Sequence, residues 1–243
     1  MRVRRRISTI DRRFREVRLF ARAMHSARHP ILAQIIPTRR CNLSCAYCNE
    51  YDSFSAPVPI EEMLRRVDRL AALGTTIIAL SGGEPLLHPE FPRIVSRIRR
   101  HGVIASLITN GYLLTRERIL ELNRAGLDYL EMSIDNVVPD SVSKKSLKVL
   151  DQKLVWLARD AEFDVTINSV LGYSVRNPED ALVVARRARE LGFNSTVGLL
   201  HDGSGQLQPL PKEQRRIYDE IAGMGVSPFS FSQNERFQAQ LIA

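Results

Sequence analysis

Four stretches of the chain repeat one pattern: an amphipathic run with apolar residues at three- and four-residue steps, a glycine, then several apolar and β-branched residues in succession. They are LAALGTTIIAL around Gly74, RRHGVIASLIT around Gly102, NRAGLDYLEMSI around Gly126 and RELGFNSTVGLL around Gly192. A glycine just past a helix takes the left-handed backbone that closes the last turn, and the apolar run after it is a buried strand. The unit is the βα repeat of a parallel sheet. Ile31 to Ile36 ahead of these units and Val165 to Leu171 among them bring the strands to six. Pro59 and Pro89 stand where a first helical turn begins, with Glu61, Glu62 and Glu90 nearby to complement the positive end of the helix dipole. Right-handed crossovers leave such strands as an open sheet or curl them into a barrel.

The unusual polar residues follow the strands. RRCNLSCAYC comes after the first, SGGEP after the second, TNG after the third, SIDN after the fourth and HDGSG after the sixth, while Asn168 lies within the fifth. In a parallel α/β structure these positions share the C-terminal edge of the sheet, where such folds place their sites. One shared pocket is expected there.

Length and composition suit one such domain. The 243 residues are 44% hydrophobic and 26% charged, enough to bury one core. No apolar run reaches the length of a membrane span and no apolar secretory stretch opens the chain, so a cytoplasmic location is expected. Charge is uneven: residues 1 to 40 hold twelve Arg against Asp11 and Glu16, a local excess of ten, and the remainder carries −2. The basic feature is an arm rather than the body, which argues against nucleic-acid binding by the body. Within the arm Ile7, Ile10, Phe14, Val17, Ala21 and Met24 recur at helical steps. The expectation is an amphipathic helix whose apolar stripe packs on the body; the other reading of a basic amphipathic helix is a membrane surface. The chain divides as a basic helical arm, 1–30, a core, 31–210, and a helical extension, 211–243, whose apolar finish reads as the start of a helix, as in a fragment of a longer protein.

The three cysteines sit within eight residues as C-x3-C-x2-C: Cys41, Cys45 and Cys48. Such clustering suits thiolate ligands in a reducing compartment better than disulfides. Structural zinc wants four closed ligands, usually as two separated pairs, and an electron-transfer [4Fe-4S] site also takes four cysteines. With three, one iron keeps an open position, and an open metal position is a catalytic feature. Zinc remains the alternative, in a nucleic-acid-binding module without turnover.

The run Cys41-Asn42-Leu43-Ser44-Cys45-Ala46-Tyr47-Cys48, followed by Gly82-Gly83-Glu84-Pro85, resembles the radical S-adenosylmethionine superfamily over roughly residues 31 to 205. The resemblance implies a partial (β/α)6 TIM-like barrel, a [4Fe-4S] cluster on the three cysteines, and S-adenosylmethionine chelated to the open iron and cleaved to a 5′-deoxyadenosyl radical. It further implies that Gly82, Gly83 and Glu84 receive the methionyl ammonium and that Asn110 closes over the cofactor. Ser133, Asp135 and Asn168 would lie near the ribose, and Tyr47 with the main chain of Val197 to Leu199 near the adenine. Where relatives carry an Arg for the methionyl carboxylate, this chain offers Lys144, Lys145 and Lys148. A reductant such as flavodoxin or ferredoxin is implied, and a half-open barrel admits a large substrate: peptide, lipid or RNA. The loops Tyr51 to Pro59 and Gly172 to Asn177 are candidates to meet it.

Overall fold

Pro37 has no N–H to give a neighbouring strand, and the first strand is irregular where it stands. The computed structural model describes residues 10, 12–17, 21, 29–202 and 204–224. Strand β1, Leu32–Thr38, pairs in parallel with β2, Ile77–Gly82, in register from Leu32↔Ile77 to Ile35↔Leu80, then shifts by one residue before Thr38↔Gly82. A bulge at a proline is the expected way to gain that residue. It re-aims the chain just ahead of Cys41.

Four more strands complete the sheet: β3, Ile104–Thr109; β4, Tyr129–Ser133; β5, Asp164–Gly172; and β6, Asn194–Leu200. They stand in chain order, β1 to β6, so every connection moves one strand over, the order of a partial TIM-like barrel. Among the described residues from 29 onward, six helices accompany them: α1, Ile60–Ala72; α2, Phe91–Arg100; α3, Arg116–Ala125; α4, Leu147–Asp160; α5, Asp180–Glu190; and α6, Lys212–Gly223. Pro59 caps α1 as expected, whereas it is Pro92, not Pro89, that enters the first turn of α2. Gly74, Gly102, Gly126 and Gly192 all have φ between 74° and 85°.

The chain folds as two compact units. The first holds residues 1–42, 50–131 and 159–164; the second holds 43–49, 132–158 and 165–243. In the first, Met63 and Val67 of α1, Ile94 and Ile98 of α2, and Ile78, Leu80, Ile104 and Leu107 of the strands are wholly buried. Asp68 of α1 takes Arg97 of α2 through two bonds of 2.6 and 2.7 Å, and His101 at 2.7 Å. In the second, Leu171, Val197, Ala185, Ile217 and Ile221 form a core under α5 and α6.

The N-terminal arm departs from its expected orientation. Residues 12–17 are helical, yet Ile10, Phe14 and Val17 are 68%, 77% and 69% exposed, while Arg12 and Glu16 are 2% and 8% exposed. Ile7 and Met24 of the proposed stripe lie outside the described residues. The buried carboxylate of Asp128 explains the reversal. It receives Arg15 at 2.8 Å and the Ala105 amide at 3.0 Å, with the Arg99 guanidinium 3.6 Å away. Arg12 meets Asp164 at 2.6 Å and lies over the Tyr129 ring, whose hydroxyl donates to Glu16. A buried carboxylate without cations costs more than an exposed apolar stripe, so the polar face turned inward.

Candidate functional site

In the first unit the glycine pair is there because another backbone passes over it. Gly82 has φ +119°, and a Cβ on it would come within 2.5 Å of Ile36 Cγ2. A Cβ on Gly83 would sit 2.1 Å from the Arg40 carbonyl oxygen and 2.3 Å from that of Arg39. The close approach is used: Gly83 N–H donates to Thr38 O at 3.1 Å and Glu84 N–H to Arg40 O at 2.7 Å. Cys41 follows directly, its own N–H donating to Asp52 O at 3.3 Å. The SGGEP segment thus holds the entry of the cysteine loop.

Glu84 is fully buried and its carboxylate is already engaged. Oε1 accepts from Thr109 Oγ1 at 2.8 Å and from Leu86 N–H at 3.0 Å, and Oε2 accepts from Asn110 N–H at 2.9 Å. The side chain ties the end of β2 to the end of β3 and starts the short turn Pro85–Leu87. Asn110 then reaches the cysteine loop. Its Oδ1 accepts from Tyr112 N–H at 2.9 Å, which fixes the amide so that Nδ2 donates to Asn42 Oδ1 at 2.7 Å and lies 3.6 Å from Cys41 Sγ.

The second unit carries Cys45, Tyr47 and Cys48. Cys45 is buried, 3.7 Å from Ser143 Oγ, and Ala46 N–H donates to Val142 O at 2.9 Å. Asp140 builds the supporting turn by accepting Val142 N–H and Ser143 N–H at 2.8 and 2.7 Å. Tyr47 donates its hydroxyl to Asp135 Oδ2 at 2.5 Å; Lys145 donates to the same hydroxyl and pairs with Asp135 at 3.1 Å. Burial first, and Asp135 next, push the Tyr47 phenol far above its ordinary range, so it stays protonated and can only donate to the carboxylate. Of the three lysines offered, Lys145 is the one joined to Asp135.

Asp135 Oδ1 is buried with no partner, beside a small cavity lined by Tyr47, Ser143, Val170, Arg176 and Leu200 among others. An orphaned carboxylate oxygen fits a hydroxyl-bearing ligand. Ser133 is the half-buried last residue of β4. Asn168, on β5, accepts from Thr196 Oγ1 of β6 at 3.0 Å, and its amide lies against Gly198, where a Cβ would come within 3.3 Å of Nδ2. Val197 to Leu199 lie in β6.

Two of the expected loops are braced by their own aspartates. Asp202 of HDGSG accepts from Ser204 N–H and Gln206 N–H at 2.9 and 3.0 Å and from the Ser204 hydroxyl at 2.6 Å, which together close its own loop. Asp52 braces the Tyr51 to Pro59 loop through Ser55 N–H at 2.9 Å, leaving Phe54 exposed. Thr109 and Ser143 were not singled out as contacts by sequence reasoning. Thr109 had a signal, a β-branched hydroxyl ending an apolar strand next to Asn110.

The sequence model of the Radical SAM superfamily matches residues 35–205. PqqA peptide cyclase of Gluconobacter oxydans is 31% identical over 171 residues, 67% of this chain and 46% of the relative. GTP 3′,8-cyclase of Synechococcus sp. is 34% identical over 177 residues, 64% of this chain and 51% of the relative. Among solved structures, Streptococcus suis SuiB bound to S-adenosylmethionine has the same fold, with a TM-score of 0.64 at 15% identity over 84% of this chain and 50% of that one. The chain spans about half the length of these proteins.

Proposed function

The chain belongs to the radical S-adenosylmethionine superfamily, whose members bind a [4Fe-4S] cluster and S-adenosylmethionine, and we propose that it cleaves S-adenosylmethionine reductively to open a radical reaction. The cluster, when bound, supplies the electron that splits the sulfonium into methionine and a 5′-deoxyadenosyl radical. Cys41, Cys45 and Cys48 are its ligands in this reading, with flavodoxin or ferredoxin as the source of the electron.

The protein's own part is binding, orientation and exclusion of water. Main-chain carbonyls of Gly82 and Gly83 suit the methionyl ammonium, and Glu84 acts mainly by holding the ends of β2 and β3 where that main chain is needed. The orphaned Oδ1 of Asp135 is an acceptor for a ribose hydroxyl, with Ser133 and Asn168 as further polar groups on the following strands. Lys145 balances Asp135 and is a cation beside this group that suits a carboxylate. Few side chains with weak hydrogens should face the radical, and the buried Ile78, Leu80 and Leu107 supply an apolar interior behind the edge. The exposed Phe54 and Tyr173, on the two candidate substrate loops, offer apolar contact to a large substrate.

The observation that carries this reading is the bonding of Gly83 and Glu84 to Thr38 and Arg40, which joins the glycine segment to the entry of the cysteine loop. Anaerobic reconstitution with iron and sulfide, reduction, and addition of S-adenosylmethionine tests it. Formation of 5′-deoxyadenosine is the expected result. A protein that takes up one zinc per chain and no sulfide, and yields no 5′-deoxyadenosine, overturns it in favour of a binding module.

A further inference from the structure

The reversed N-terminal helix leaves an apolar line on the outside. Ile10, Phe14, Val17 and Ala21 recur at steps of four, three and four, one face of a helix, and all four are exposed. The inward face is engaged: Arg12 on Asp164 at 2.6 Å and on Asp128 O at 3.4 Å, Arg15 on Asp128 at 2.8 Å, Glu16 accepting from Tyr129. Rolling the helix to hide the stripe would strip the buried Asp128 of two cations. The stripe is therefore outward for a physical reason and available to something else.

We propose that this face docks on an anionic lipid bilayer, with the helix lying in the plane of the interface. Charge selects the occupant. Residues 1–40 carry a local excess of ten positive charges, Arg13 is exposed beside the stripe, and basic amphipathic helices bind anionic interfaces by apolar insertion together with headgroup attraction. A second copy of this chain would set the same excess against itself. Residues 225–243 hold several apolar side chains but only Glu235 and Arg236 as charges, so they offer no negative surface. Among the described residues no helix is long and apolar enough to cross a membrane, so the contact is peripheral.

The geometry also sets which edge faces the lipid. Asp128 N–H donates to Ala105 O, at the start of β3, and Asp128 immediately precedes β4. The helix thus sits on the N-terminal edge of these strands, whereas Glu84 and Asn110 follow the C-terminal ends of β2 and β3. Docking holds the protein at the surface and leaves the candidate site's edge uncovered. This inference does not depend on the reaction proposed above.

The full chain is centrifuged with vesicles of phosphatidylcholine alone and with vesicles holding about 30% phosphatidylglycerol. Co-sedimentation with the second set only is expected, weakened by salt but not removed by it. Ile10→Ser, Phe14→Ser and Val17→Ser together should lower the bound fraction about tenfold with an unchanged melting temperature, because these side chains are exposed. Full binding by that variant would leave only the arginines and overturn the proposal, as would no binding by the parent chain. A lowered melting temperature, or loss of a dimer seen by sedimentation equilibrium, would mean that the chain itself covers the stripe.

Discussion

The Asn110 main-chain N–H donates to the buried carboxylate of Glu84 at 2.9 Å, so the polar end of β3 is fastened to the segment that follows β2. Replacing Glu84 by Ala strands that amide, the Leu86 amide and the Thr109 hydroxyl at once. Each buried donor left unpaired costs about 1–3 kcal/mol, so Glu84→Ala should lose roughly 3 kcal/mol or more of stability, read as a lower urea midpoint. Weaker S-adenosylmethionine binding should accompany it. A variant with normal stability and weak binding would assign the carboxylate to the ligand instead.

The cysteine spacing makes its own prediction. Anaerobically reconstituted protein should hold about four irons per chain, and Cys41→Ala, Cys45→Ala and Cys48→Ala should each abolish the brown chromophore. Iron and sulfide analysis on the three variants is the check. Retention of the chromophore in any one of them would remove that residue from the ligand set.

Asn110 Nδ2 approaches Cys41 Sγ at 3.6 Å. Hydrogen bonds to ligand sulfur raise a cluster's reduction potential, so Asn110→Ala should shift it to more negative values. A redox titration followed by electron paramagnetic resonance reads this directly. An unchanged potential would confine the amide to its bond with Asn42.

The N-terminal arm is expected to stabilise the body through ions rather than through apolar packing. Deleting residues 1–28 removes Arg12 and Arg15 and leaves Asp128 with Arg99 and the Ala105 amide. Breaking a buried pair from one side costs about 3–5 kcal/mol, and thermal melting should show a loss of that order. Adding Asp128→Asn to the deletion should recover part of it. Equal melting of the deleted and full chains would mean the ion pairs contribute nothing.

Asp68 supplies a pH dependence. Hydrogen bonding to Arg97 first, and to His101, holds its carboxyl down at about 2. The unfolded value is about 3.9, so the stabilisation is complete above that pH and disappears as pH falls through about 2. The parent chain should lose stability across this window, and Asp68→Asn should flatten that part of the curve. Because the pair is part-exposed, high salt should shrink the difference.

What the sequence makes legible and what it hides divide along a physical line. Helix-glycine-strand junctions are local, and the four glycines stand with the positive φ that their position after a helix requires. The series of polar loops on successive strand ends follows from the same periodicity. Orientation of the arm is not local. A helical stripe says which side chains share a face, but the side chosen depends on Asp128 and Asp164, more than a hundred residues away. Glu84 is hidden for a related reason, since its partners are a hydroxyl and two amides that only the pairing of β2 with β3 brings together. Among Lys144, Lys145 and Lys148, spacing alone offers no choice; the fold of residues 135–146, with Asp135 N–H on Lys145 O at 2.8 Å, sets Lys145 beside Asp135.

Gly83 carries a consequence for anyone who would move this chemistry to another scaffold. Because a methyl group there would occupy the space of the Arg39 and Arg40 carbonyls, the close approach of the backbone just ahead of Cys41 is encoded by an atom that is missing. Transplanting Cys41 to Cys48 alone would deliver the three thiols without the glycines that let Arg39 and Arg40 pass. The portable module is the loop together with the Pro37 bulge and Gly82-Gly83, a pair of segments some forty residues apart in the chain that have to be grafted as one piece.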